Sequence, residues 1–324
     1  MKFSKSSVDM EFSKVYFLGI GGIGMSALAR YFLHEGKRVA GYDRTESRLT
    51  RELTDEGAEI HYEEGVRFIP EPFRDPAATV VVYTPAVPAD HPELVWFREQ
   101  GFEVEKRSQM LGYLSAGKYV MAVAGTHGKT TTSTLVAWLN HETTEGGSAF
   151  LGGISKNFGS NLVLGAGDRL AVEADEFDRS FLRLEPDVAV VTSVDPDHLD
   201  IYGTYEAVKE AFAQFVRRIR RGGCLVLKQG AEIALDGGGI DVYRYSYDEP
   251  CDFYAANVSL LDGGFYRYDL VMPDRVIADC TLGIPGWVNV ENAVAAAAAM
   301  WCAARARGER LDEERLRGAL ASFA

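Results

Sequence analysis

The sequence has few cysteines, no long apolar run and no excess of positive charge, and each absence excludes a class of protein. The four cysteines have no spacing typical of metal ligands, so we expect free thiols in a reducing compartment. No run of eighteen apolar residues occurs, which argues against a membrane-spanning helix or a membrane partner. Acidic residues interrupt the first apolar stretch, so we predict a strand there instead of a signal peptide, and a cytoplasmic protein.

The formal net charge of -13 disfavours a nucleic-acid partner, because an acidic surface repels a phosphate backbone. One basic cluster, FVRRIRRGG at 215–223, could form a local positive patch. We interpret this cluster as the end of a helix, where arginines offset the helix dipole and glycines stop the helix.

Strand-like and helix-like segments alternate along most of the chain. From Val15 an apolar run leads into a glycine loop, a helix and a second strand that ends at Asp43, and the cycle restarts at 118–125. This alternation predicts doubly wound parallel sheets. Between Val242 and Leu282, apolar and polar residues alternate around a Gly-Gly turn, which predicts antiparallel hairpins.

The chain length of 324 residues is enough for about two domains. We therefore predict an α/β protein. A Rossmann-like doubly wound domain covers 1–107, and a P-loop-type, mainly parallel α/β domain with added antiparallel hairpins covers 108–324.

The first glycine loop, GIGGIGMS, contains the pattern G-x-G-x-x-G at Gly19, Gly21 and Gly24. Such a loop between a strand and a helix lets backbone N–H groups approach a pyrophosphate. Asp43 stands at the end of the next strand, where a ribose-binding acid belongs. A tight turn that binds nothing, with Asp43 starting a further turn, is the alternative. For the motif alone, NAD would be the ordinary ligand.

The central loop, AVAGTHGKTTT at 122–132, resembles a triphosphate loop but is shorter, because Gly125 comes only three positions before Gly128. Its N–H groups can still form an anion nest. Lys129 would then place its charge on the outer phosphates, and the Thr130 hydroxyl would bind magnesium. Strand, GKT and helix in this order disfavour a turn without a ligand.

Two acidic segments, EADEFD at 173–178 and DPDHLDIYG at 195–203, follow predicted parallel strands. Ligands of α/β sheets bind at this edge, and magnesium prefers oxygen ligands. We favour Glu173 as a metal ligand and His198 for a metal or phosphate role. For the other acids, solvation or helix capping is the competing interpretation.

The chain resembles the Mur ligase family, ATP-dependent amide-forming enzymes of peptidoglycan synthesis, over nearly its whole length. The resemblance rests on five motifs in the family's order: GIGGIGMSALA, GTHGKTTT, EADEFDRSFL, DPDHLDIYG and NVENAVAA. It implies that the first loop holds a UDP-sugar instead of NAD and that the central loop holds ATP with Mg²⁺. It further implies UDP-N-acetylmuramate and L-alanine as partners, joined through an acyl phosphate.

The resemblance also implies roles for individual residues. Catalytic roles are implied for Lys129, Glu173 and His198, and metal binding for Thr130, Glu173 and His198. The implied ATP contacts are Gly125, Thr126, His127, Gly128, Lys129, Thr130, Thr131, Asn289 and Asn292, although Asn289 could instead cap a helix. The implied UDP-sugar contacts are Gly19, Gly21, Gly22, Ile23, Gly24, Asp43, Thr84, Pro85, Ala86 and Arg107.

The sequence departs from the family pattern at several places. Val288 stands where the family often has histidine before the asparagine motif, and acids around Glu64 replace a Gly-His pair. Family chains continue into a third domain that would begin near the end of this sequence, so we expect a poorly active fragment. A homodimer is compatible with these features.

Three alternatives remain open at this point. The first is a paralogous ligase that joins a recycled peptide to UDP-N-acetylmuramate. The second is an NAD-dependent oxidoreductase built on Gly19 to Asp43, which leaves the GKT loop and both acidic segments unexplained. The third is a non-catalytic nucleotide-binding module.

Overall fold

The computed structural model describes residues 12–235 and 238–324. The chain folds into two compact units, one that ends at Gly117 and a second from Lys118 to Ala324. The helix Arg107–Ser115 lies within the first unit.

The first unit is built on a five-stranded, fully parallel sheet with the strand order β3-β2-β1-β4-β5. Its strands are β1 (Lys14–Leu18), β2 (Arg38–Tyr42), β3 (Glu59–His61), β4 (Thr79–Tyr83) and β5 (Glu103–Lys106). Its helices are α1 (Ile23–His34), α2 (Arg48–Asp55), α3 (Pro92–Glu99) and α4 (Arg107–Ser115). The order reverses between β1 and β4, and in doubly wound sheets this switch point is where ligands bind. The predicted Rossmann-like fold is confirmed.

Buried, β-branched strands form the centre of this sheet. In β4, Val80, Val81 and Val82 are completely buried, as expected for a strand with both faces covered. Helix α2 begins at a capping box in which Ser47 Oγ accepts from Thr50 N at 3.2 Å and Thr50 Oγ1 accepts from Ser47 N at 2.9 Å.

A buried polar chain runs through the core of the first unit. The Tyr16 hydroxyl lies 2.6 Å from His61 Nε2 and 2.7 Å from Glu93 Oε2, and Gly65 N donates to Glu93 Oε1 at 3.2 Å. The side chain of Glu93 is completely buried, and this burial raises the pKa of its carboxyl to about 7. Burial likewise lowers the pKa of His61. The surroundings thus favour a neutral carboxyl and a neutral imidazole.

The second unit is built on a seven-stranded sheet of order β12-β11-β10-β6-β9-β7-β8, parallel except for the β7–β8 pair. Its strands are β6 (Tyr119–Ala124), β7 (Ser148–Phe150), β8 (Leu162–Val163), β9 (Arg169–Glu173), β10 (Val188–Val191), β11 (Cys224–Lys228) and β12 (Asp241–Tyr245). A separate antiparallel sheet contains β13 (Tyr254–Leu260), β14 (Tyr266–Met272) and β15 (Arg275–Thr281). The helices are α5 (Lys129–Thr143), α6 (Leu199–Tyr202), α7 (Tyr205–Val216), α8 (Trp287–Ala306) and α9 (Glu313–Ser322).

The predicted hairpins are confirmed for β13 to β15, but the prediction is wrong for the segment that begins at Val242. That segment is β12, which pairs in parallel with β11 at the edge of the large sheet. An edge strand has one open side, and Asp241 and Val242 are exposed whereas Tyr245 is buried. A partly exposed parallel strand therefore resembles an antiparallel one in sequence.

Helix α8 packs against α5, and its residues Ala295 to Ala299 are all completely buried. Helix α7 ends at Val216, before the arginines of the basic cluster, so the prediction that they form its last turn is wrong. They pair with acids instead, including Arg218 with Glu185 and Arg220 with Asp187. All four cysteines are free thiols. Within the part of the chain that the structure describes, no helix is long and apolar enough to cross a membrane.

Candidate functional site

The first glycine loop follows β1 at the switch point of the five-stranded sheet. Gly19 has a φ of 84°, in the left-handed region that favours glycine. Gly21 N donates to Asp43 Oδ2 at 2.7 Å, and Thr45 N donates to Asp43 Oδ1 at 3.2 Å. The Asp43 carboxylate therefore shapes the loop and its own turn, whatever else it binds.

A cleft of about 500 Å³ opens beside this loop. It brings together six of the predicted substrate contacts, which are Gly19, Gly21, Gly22, Asp43, Thr84 and Ala86. The predicted contacts Ile23, Gly24, Pro85 and Arg107 do not line it. Arg107 lies against the start of α1 instead. A Cβ atom on Gly24 would be only 2.8 Å from Nη1 of Arg107.

The central loop connects β6 to α5, and its two glycines have φ values of 140° at Gly125 and 79° at Gly128. Side chains at the end of β10 hold this loop in place. Ser193 Oγ lies 2.7 Å from Thr126 Oγ1 and accepts from His127 N at 2.8 Å. A Cβ atom on Gly125 would be 2.0 Å from Thr192 Oγ1, so a larger residue would break this packing.

Lys129 begins α5 and folds back over its own loop. Its Nζ donates to Gly125 O at 2.7 Å and to Glu176 Oε1 at 2.8 Å. The Glu176 side chain is completely buried, its Oε2 has no hydrogen-bond partner among the described residues, and His198 Nε2 lies 3.7 Å from its Oε1. Glu176 has no role among the residues predicted from sequence. Its position three residues after Glu173 was the available signal, but three other acids in the same segment made the choice ambiguous.

Glu173, the last residue of β9, lies beside the start of α5. Its Oε2 accepts from Ser133 Oγ at 3.3 Å, and a Cβ atom on Gly152 would be 2.2 Å from its Oε1. Burial raises the pKa of Glu173, while a hydrogen bond from Thr130 and the charge of Lys129 oppose this effect. A carboxylate and a hydroxyl in contact are hard oxygen donors of the kind that Mg²⁺ prefers.

His198, another predicted site residue, lies just before α6 and is held by local contacts. His198 has a left-handed φ of 51° just before α6, and Phe177 packs edge-on against its ring at 5.5 Å. Within the described ranges, no three His, Cys, Asp or Glu side chains form a ready-made metal cluster. A magnesium ion at Thr130 and Glu173 would therefore take its remaining ligands from phosphate and water.

Asn292 of α8 contacts the end of the central loop, whereas Asn289 contacts the segment just before α8. Asn292 is buried, its Oδ1 accepts from Thr132 Oγ1 at 3.1 Å, and a Cβ atom on Gly128 would lie 3.0 Å from the same oxygen. Asn289 Nδ2 donates to Pro285 O at 2.7 Å. Asn292 thus positions the start of α5. Val288, the departure from the family pattern, is exposed beside Asn289.

Comparisons with known proteins match both parts of the chain to one family. Residues 123–300 match the Mur ligase middle domain, and residues 14–119 match the catalytic domain of the Mur ligase family. UDP-N-acetylmuramate–L-alanine ligases from Phocaeicola vulgatus and Parabacteroides distasonis are 51% and 54% identical over 95% and 89% of this chain. The chain spans 66% and 62% of the lengths of these two relatives.

Solved structures show the same fold. The UDP-N-acetylmuramate-alanine ligase of Thermotoga maritima is 26% identical, with a TM-score of 0.79 over 96% of this chain and 68% of that one. The UDP-N-acetylmuramate:L-alanyl-gamma-D-glutamyl-meso-diaminopimelate ligase of Neisseria meningitides is 22% identical, with a TM-score of 0.83 over 97% and 98% of the two chains. With two family domains matched along its length, the chain belongs to the Mur ligase family.

Proposed function

We propose that this chain carries the nucleotide-sugar and ATP sites of an enzyme that ligates L-alanine to UDP-N-acetylmuramate. The observation that carries the proposal is the central loop, where Lys129 stands over a glycine nest and Glu173 contacts the Thr130 hydroxyl. The names of the relatives at 51% and 54% identity support L-alanine as the amine. Both substrates remain part of the proposal.

In the proposed reaction, a carboxylate oxygen of UDP-N-acetylmuramate attacks the γ-phosphorus of ATP, and ADP leaves. The amine of L-alanine then attacks the acyl carbon of the resulting acyl phosphate, and inorganic phosphate leaves. Phosphoryl transfer depends mainly on positioning and on neutralising charge. Lys129 would neutralise charge on the outer phosphates, and the N–H groups of the loop would orient them.

Thr130 and Glu173 are the residues that would hold Mg²⁺, which when bound would neutralise charge on the phosphate oxygens. His198 is proposed near the acyl phosphate. It lies close to Glu176 and next to Asp197, whose Oδ1 accepts from His198 N at 2.8 Å. The contact between Asn292 and Thr132 would keep the start of α5 in position while ATP binds.

The glycine-loop cleft is the proposed UDP site. Gly21 and Gly22 would present the loop's backbone to the pyrophosphate, close to the N-terminus of α1. The Asp43 carboxylate accepts hydrogen bonds from two backbone N–H groups, and its remaining lone pairs would accept hydrogen bonds from the ribose hydroxyls. Thr84 and Ala86 would form the opposite wall.

Two measurements test the proposal. Calorimetry with the chain should detect separate binding of UDP-N-acetylmuramate and of ATP with Mg²⁺, whereas NADH should not bind. NADH binding without UDP-sugar binding would favour the oxidoreductase alternative. Phosphate release is then compared with L-alanine and with the tripeptide L-alanyl-γ-D-glutamyl-meso-diaminopimelate. A preference for the tripeptide would support the recycling ligase instead.

A further inference from the structure

His91 stands at the N-cap position of α3, but its side chain does not cap the helix. It immediately precedes α3, with Pro92 as the first helical residue, and its side chain makes no capping hydrogen bond. Serine, threonine, aspartate and asparagine are preferred at such positions because they bind the free N–H groups of the first turn. Helix capping therefore does not explain a histidine here.

The His91 ring is also buried without a polar partner. The residue is only 4% exposed, and neither Nδ1 nor Nε2 has a hydrogen-bond partner among the described residues. Its ring packs against that of Tyr42 with 4.7 Å between centroids. A buried donor or acceptor without a partner costs stability, so a phenyl ring would suit a purely packing role better.

His91 borders the same cleft as the first glycine loop. Tyr42, the last residue of β2, and Glu64 border this cleft as well, and Tyr42 Oη donates to Glu64 Oε1 at 3.2 Å. In doubly wound folds, the glycine loop takes the pyrophosphate and the end of the second strand takes the ribose. The nucleoside half of a ligand therefore lies on the side of the cleft formed by Tyr42, Glu64 and His91.

We infer that His91 is a specificity-determining contact for the uridine half of the UDP ligand. The inference rests on the proposed function, because it takes the cleft to be the UDP site. Burial lowers the pKa of His91, so the ring is neutral near pH 7 and offers one donor and one acceptor. The imide edge of uracil carries an N–H donor flanked by carbonyl acceptors, and either ring nitrogen could pair with it.

Both ring nitrogens are shielded from solvent. Contact with uridine therefore requires the ring to turn or shift, and this movement provides a direct signature. The imidazole ¹⁵N signals of His91, assigned by their loss in His91→Phe, should move when UDP is added. The signals of His34, an exposed histidine on α1, should not move.

The decisive variant is His91→Phe, which keeps an aromatic ring against Tyr42 and removes both nitrogens. We expect its affinity for UDP to fall at least about tenfold, while its melting temperature stays equal to or above that of the parent. His91→Ser, which can cap α3, is the second variant and should also bind UDP weakly. His34→Phe is the matched control. Its UDP affinity should equal that of the parent.

The outcomes separate this inference from the proposed function. If the parent chain does not bind UDP, the proposed UDP site fails. If the parent binds UDP without a shift of its His91 signals, or if His91→Phe binds UDP as tightly as the parent, the inference fails and the proposed function stands. Uridine and pyrophosphate are tested as separate ligands. A loss of pyrophosphate affinity equal to that for UDP would also overturn the assignment to uridine.

Discussion

Lys129 Nζ lies 2.8 Å from Glu176 Oε1, so the lysine of the phosphate loop is paired with a completely buried carboxylate. The same ammonium also donates to Gly125 O, at the start of its own loop. The charge that would meet ATP therefore already has a partner within the protein. A nucleotide phosphate must compete with Glu176 for the Lys129 ammonium or share it with Glu176.

The first prediction concerns the stability of this pair. Lys129→Met should lower the free energy of unfolding by about 3–5 kcal/mol, because it leaves a buried carboxylate without its cation. The double variant Lys129→Met, Glu176→Gln should recover most of that loss. Urea unfolding followed by tryptophan fluorescence in a Trp96→Phe background reports on the second unit alone, since the other tryptophans lie there. Equal losses in the single and double variants would show that the pair is not coupled.

The second prediction separates the two loops. Lys129→Ala should weaken ATP binding by about tenfold to a hundredfold, the range for losing a charged hydrogen bond, and leave UDP binding unchanged. Calorimetry at a temperature where the variant is folded measures both affinities. Lys209→Ala, a change on helix α7, is the control and should bind both ligands normally. A loss of UDP binding with retained ATP binding would mean that the loops have the opposite roles.

The third prediction concerns pH. Because the folded pKa of Glu93 is raised to about 7, the folded state holds a proton that the unfolded state releases near the ordinary glutamate value. The contribution of Glu93 to stability is therefore complete below about pH 4.5 and falls by about 3 kcal/mol as the pH rises to 7.

Glu93→Gln, which resembles the protonated carboxyl, should accordingly be more stable than the parent at pH 8 and similar to it at pH 4.5. Thermal melts across this range measure the difference. Glu99→Gln, an exposed change on the same helix, should show no such pH dependence. A Glu93→Gln variant that is less stable than the parent at pH 8 would contradict the raised pKa.

The fourth prediction concerns the first glycine loop. A Cβ atom on Gly21 would be 2.9 Å from Asp43 Oδ2 and 2.8 Å from Thr50 Cγ2, so Gly21→Ala must displace the Asp43 carboxylate. UDP affinity should fall about tenfold or more, with ATP affinity unchanged. Gly318→Ala, in helix α9 with no heavy atom within 4 Å of the new carbon, controls for the substitution itself. Normal UDP binding by Gly21→Ala would place the ligand elsewhere.

Much of the fold could be predicted because strand and helix periods are local properties. The buried run that became β4 and the strand, loop and helix around Lys129 are examples. The direction of the edge strand β12 could not be predicted, because exposure on one side produces alternation in either strand direction.

The site residues were harder to predict in full. Lys129 and Glu173 stand in motifs whose chemistry can be inferred from residue type and spacing. The roles of Glu176 and His91 depend on what surrounds them in space, namely a lysine 47 positions away and a cleft wall from β2. No local pattern encodes either relationship.

The contact between α5 and α8 has a consequence for binding entropy. With Asn292 on Thr132 and Ser193 on His127, it ties the central loop to the surrounding structure through contacts made within the protein itself. The chain thus loses the conformational freedom of this loop when it folds and not when nucleotide binds. ATP would then meet a rigid anion nest, and the entropy lost on binding would come mainly from the nucleotide itself.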